Sequence, residues 1–113
     1  MMNEWEAVAP ILVEKSNRYK RFENLRTVEI FVGELNRVYQ FKLWGNALTS
    51  MFVLVKEDSD ILGQLNVGKT FTMKYYGQDT VGPIQTLATR IKYIDRVDEG
   101  RFRGHYLTGL SIV

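Results

Sequence analysis

The stretch TVEIFVGELNRVYQFKLW, residues 27–44, decides the fold. Val28, Ile30 and Val32 alternate with Thr27, Glu29 and Phe31; Tyr39, Phe41 and Leu43 alternate with Val38, Gln40, Lys42 and Trp44. Successive side chains of a strand point to opposite faces, so a period of two predicts two half-buried strands. The four residues between them, Gly33-Glu34-Leu35-Asn36, are short and turn-like, which makes the pair a hairpin.

Further along the chain, Met51-Phe52-Val53-Leu54-Val55 is apolar on both faces, as expected of a central strand covered on both sides. The polar run Lys56-Glu57-Asp58-Ser59-Asp60 ends it. Residues 71–76, 85–97 and 101–113 supply three more strands, with Val97-Asp98-Glu99-Gly100 as a tight reversal. Six short strands with turn signals and almost no helix predict an all-β domain, a barrel or a sandwich. Toward the start, Asn3 and Glu6 resemble a helix capping box, and Trp5, Val8, Ala9 and Leu12 follow at helical spacing. Pro10 interrupts that pattern, so residues 1–14 are read as a short helix or an extended arm.

Composition narrows the function. The chain has 113 residues, 45% hydrophobic and 25% charged, an ordinary globular mix sufficient for one core. With no cysteine and a single histidine, His105, disulfides, thiolate metal sites and multi-histidine cages are excluded. No apolar run approaches the ~20 residues that a spanning helix needs, and the acidic start lacks the basic end of a secretory signal. The expectation is therefore a cytoplasmic protein without membrane insertion. A net charge of +2 does not by itself imply a nucleic-acid partner.

Residues 63–70, Gly-Gln-Leu-Asn-Val-Gly-Lys-Thr, satisfy the phosphate-loop pattern G-x-x-x-x-G-K-T at every defined position. That loop needs a buried strand before it and a helix after it, whose N-terminus faces the phosphates. Here Asp58-Ser59-Asp60-Ile61-Leu62 is too polar for such a strand. Phe71-Thr72-Met73-Lys74-Tyr75-Tyr76 then has strand character, so Gly68 and Lys69 are read as a turn that launches it. His105 is expected to point outward with Arg103, opposite Phe102, Tyr106, Leu110 and Ile112. The carboxylates Asp58, Asp60, Asp95, Asp98 and Glu99 sit at strand ends, where solvated carboxylates are the ordinary case. No catalytic constellation follows from them, and no enzyme is expected.

Basic and aromatic residues interleave at Arg18-Tyr19-Lys20-Arg21-Phe22, and Arg90, Lys92, Tyr93, Arg96, Arg101 and Arg103 punctuate the last two strands. Guanidinium groups offer forked donors to phosphate and stack on bases. The first run is either a solvated connector or a grip on a nucleotide. Single-stranded nucleic acid is an alternative ligand, with Tyr75 or Tyr76 as stacking platforms.

The order of these features resembles the PilZ domain, a six-stranded bacterial barrel that typically binds cyclic di-GMP. The resemblance runs from the basic connector (Arg18, Lys20, Arg21, Arg26) through Trp44-Gly45-Asn46-Ala47-Leu48-Thr49-Ser50-Met51 and the Leu65-Asn66-Val67-Gly68-Lys69 turn. It ends with the strand Tyr106-Leu107-Thr108-Gly109-Leu110-Ser111-Ile112, and so covers residues 15–113. It implies a six-stranded antiparallel β-barrel and a non-enzymatic regulatory role through a protein partner. It also implies Arg18, Arg21 and Arg26 as contacts to phosphate and guanine, and Asn46 as a polar contact. The R-x-x-x-R spacing is not met, and Leu48 and Met51 stand where the D/N-x-S-x-x-G segment has serine and glycine. Cyclic di-GMP binding is accordingly expected to be weakened or absent.

Overall fold

The computed structural model describes residues 25–46, 50–78, 82, 83 and 85–113. The expected arm of residues 1–14 and the connector up to residue 24 lie outside the described residues. The strands are β1 (Leu25–Val32), β2 (Arg37–Lys42), β3 (Trp44–Asn46), β4 (Ser50–Lys56), β5 (Thr70–Gly77), β6 (Gln85–Val97) and β7 (His105–Ile112), with a 3₁₀ turn at Asp60–Gln64. They form one antiparallel sheet in the order β2-β1-β5-β6-β7-β4-β3, curled into a half-barrel.

The expected hairpin is present. Leu35 N–H donates to the Val32 carbonyl and Asn36 N–H to that of Gly33, with Asn36 at φ +49, a conformation asparagine tolerates. Val28 faces Phe41 and Ile30 faces Tyr39 on the inner side, while Phe31 and Val38 pair outside, where both are exposed. The alternation read from the sequence thus sorts the two faces. Val28, Ile30, Val53, Val55, Met73 and Ile91 are all essentially inaccessible to solvent. Burying a side chain of this size contributes roughly 1.5–3 kcal/mol, so these positions hold the sheet in its curl.

The closed six-stranded barrel is not what forms. The expected second strand is divided by one residue, Leu43: β2 pairs with β1, and β3 pairs with β4 at the opposite end of the sheet. The cause is local. Leu43 turns its N–H to the Arg26 carbonyl (2.9 Å), and Gly45 adopts φ +78 against the Ser50 carbonyl, where an added Cβ would overlap the oxygen. The chain crosses from one sheet edge to the other there. Among the described residues no ladder joins β2 to β4, and a seam remains between them.

β6 carries a second irregularity. Thr89 and Ile91 face the core, but the register shifts between Ile91 and Tyr93, leaving Lys92 without a partner. A one-residue bulge reverses which face the following side chains meet. Tyr93 therefore turns outward over Gly109. The reversal expected at residues 97–100 is longer than a tight turn, since β7 begins only at His105.

Candidate ligand-binding surface

Of the residues singled out from the sequence, Arg18 and Arg21 lie outside the described residues. Arg26 is exposed near the start of β1; its Nη1 donates to the Leu25 carbonyl (3.2 Å) and its own carbonyl accepts from Leu43. Asn46 ends β3, its backbone paired with Ser50. Two residues, Trp44 and Gly45, separate it from Leu43. The backbones of Arg26 and Asn46 are thus brought to one end of the sheet. Met51, which takes the place of a glycine in the resembling motif, is 3% exposed. Its side chain points into the core, so its bulk does not crowd the outer surface.

The phosphate-loop motif is a docked turn. Gly68, at φ +92, donates its N–H to the Ile91 carbonyl (2.8 Å), and Ile91 N–H returns a bond to Lys69 O (2.9 Å). Lys69 N–H bonds Asn66 O, and its Nζ donates to the Gln64 carbonyl (3.4 Å) while lying 4.8 Å from the Phe71 ring centre. Thr70 then opens β5, where a nucleotide site would need a helix. The Gly68 and Lys69 N–H groups and the Lys69 ammonium, which would meet phosphate in such a loop, already have protein acceptors.

Tyr75 does not offer a stacking platform. Tyr75 is wholly buried, its hydroxyl paired with Thr89 Oγ1 at 2.7 Å, and burial pushes its phenol up to about 12. Tyr76 is half-buried and donates to the Glu29 carboxylate (2.9 Å), which also accepts from Gln40. These bonds hold Glu29 below its usual range and raise Tyr76 above its own.

The aromatic surface lies elsewhere, on the outer side of β3, β4, β7 and β6. Trp44 pairs with Phe52, Phe52 with Gly109, and Gly109 with Tyr93, so one row crosses four strands in register. Trp44 and Phe52 stack at 6.3 Å with planes 10° apart, and Phe102 meets Trp44 edge-on at 5.2 Å. Tyr93 lies flat over Gly109, filling the place of the missing side chain. Two cations border the row: Lys42 Nζ sits 4.0 Å from the Trp44 ring centre, and the Arg101 guanidinium 5.5 Å. Phe102, expected to face inward, belongs to this outer cluster.

The sequence did not expose this row, because its members are adjacent only through cross-strand register. Tyr93 joins it only because of the bulge at Lys92. The usable signal was the Gly109 position, a glycine inside a strand pattern, which marks a close approach.

The seam between β2 and β4 forms an open groove of about 540 Å³, lined by Gln40, Phe41, Leu54, Lys56, Asp58, Ser59 and His105. His105 Nδ1 donates to the Phe102 and Arg103 carbonyls (3.1 and 3.3 Å). At one end Asp60 accepts from Arg37 (2.8 Å) and from the Tyr39 hydroxyl, whose pKa that bond raises. Among the described residues, no cluster of three or more histidines or carboxylates could hold a metal ion. No described helix is long and apolar enough to cross a membrane. No protein-family model, curated protein or solved structure matches the chain.

Proposed function

We propose that the chain is a non-enzymatic, PilZ-like regulatory module of a bacterial cytoplasm, working through a protein partner and holding cyclic di-GMP weakly or not at all. The observation that carries this reading is the bond from Leu43 N–H to the Arg26 carbonyl. It sets the end of the basic connector against the β2–β3 crossing, the two segments from which the resembling family builds its ligand site. The strand succession supports it too. If β2 and β3 count as one bent strand, the sheet order returns to its start after six strands. The missing arginine spacing and Leu48 in place of the motif's serine support a degenerate ligand site.

Calorimetry with cyclic di-GMP and with magnesium ATP tests the reading. The expected result is dinucleotide binding weaker than ~10 μM and no ATP turnover. Nanomolar dinucleotide binding abolished by Arg21→Ala would overturn the degenerate site. ATP hydrolysis lost on Lys69→Ala would overturn the non-enzymatic assignment. A second reading, a barrel that binds single-stranded nucleic acid, is favoured by one observation, the cation-bordered row of Trp44, Phe52 and Tyr93.

A further inference from the structure

We infer that the outer face of β3-β4-β7-β6 is a stacking platform for a short single-stranded oligonucleotide, with bases on Trp44, Phe52 and Tyr93 and phosphates at Lys42, Arg101 and Lys92. The inference deepens the second reading above and is independent of any cyclic dinucleotide site.

Each requirement of such a platform has a counterpart. Bases need flat apolar surfaces that are accessible on one side; Trp44, Phe52 and Tyr93 are all half-buried on the outward face. The three rings lie in one cross-strand row from β3 to β6, about 14 Å wide at the usual strand spacing, enough for two or three successive bases. Tyr93 is flat because Gly109 leaves room beneath it. A side chain at residue 109 would lift the ring off the sheet.

Phosphates need cations that can reach past the rings. Lys42 lies over one face of Trp44, on a flexible four-carbon stem that can swing aside as a base takes its place. Arg101 touches both Trp44 and Phe102, and Lys92 is exposed at the bulge next to Tyr93. Positive groups thus stand at both ends of the row. Stacking is tolerant of sequence because every base has a π-face, so the surface suits single strands without a fixed sequence.

The test uses a fluorescein-labelled 12-mer of oligothymidylate and the full chain, followed by anisotropy and by Trp44 fluorescence in a Trp5→Phe background. Expected are micromolar binding at 50 mM salt and quenching of Trp44. If two or three phosphates are neutralised, affinity should fall about 7- to 18-fold between 50 and 200 mM salt. Trp44→Ala should weaken binding by roughly tenfold or more. Because that change also removes packing against Phe52, the paired charge reversal Lys42→Glu/Arg101→Glu, at exposed positions, provides a second probe. It should abolish detectable binding at 50 mM salt with an unchanged circular dichroism spectrum. Three results would overturn the platform: no binding at 50 mM salt, equal affinity for the duplex form of the 12-mer, or binding that survives the charge reversal.

Discussion

Tyr75 places a phenol in the core, its hydroxyl paired with Thr89 Oγ1 at 2.7 Å and lying 4.0 Å from Met73 Sδ. Its folded pKa, about 12, lies above the ordinary value of 10.0 because burial penalises the phenolate. The protonated phenol is therefore favoured in the folded chain. This contribution is complete below pH 10 and is lost as pH rises toward 12, since the unfolded chain releases its proton first. Two pKa units correspond to about 2–3 kcal/mol. Tyr75→Phe should flatten the fall in unfolding free energy between pH 10 and 12 relative to the wild type. Urea titrations at several pH values measure this, and parallel curves would refute it. Comparison with the variant is needed because Tyr39 and Tyr76, each bonded to a carboxylate, also titrate late.

At the scale of elements, β3 depends on one residue that cannot carry a side chain. Gly45→Ala would combine a left-handed backbone with an overlap at the Ser50 carbonyl, so β3 should separate from β4. A loss of at least ~1–3 kcal/mol is expected in thermal or urea unfolding, and an unchanged midpoint would contradict it. This device explains how much of the fold could be read in advance. The bounds of β6, residues 85–97, follow from composition and period, and the β1–β2 hairpin follows from alternation and its turn. The division at Leu43 does not, because residues 38–44 alternate without a break and the crossing is imposed by contacts to Arg26 and Ser50. The bulge at Lys92 is equally silent, being a relation between β6 and β7. The aromatic row needs both of these, so the sequence directed attention to Tyr75 and Tyr76 instead. The connector arginines were legible as chemistry, but only Arg26 among them falls within the described residues.

At the scale of the molecule, the sheet has two unequal regions. β6 is bonded along both sides, by β5 and β7, whereas among the described residues β2 has only β1 as a ladder partner. Local opening follows the least supported backbone, so β2 amides bonded to β1 should exchange with deuterium about tenfold or more faster than those of β6. Equal protection would mean that β2 and β4 close on each other in solution. The single residue Leu43 adds a mechanical consequence. Lys42 and Trp44 belong to opposite edges of the sheet yet are only two residues apart in the chain, so the edges cannot part there. Any gaping of the half-barrel must pivot about Leu43 as about a hinge, and at the far end the grip of Arg37 and Tyr39 on Asp60 acts as the latch. The groove between β2 and β4, with Phe41 and Leu54 among its lining, is then a jaw that widens from one end only.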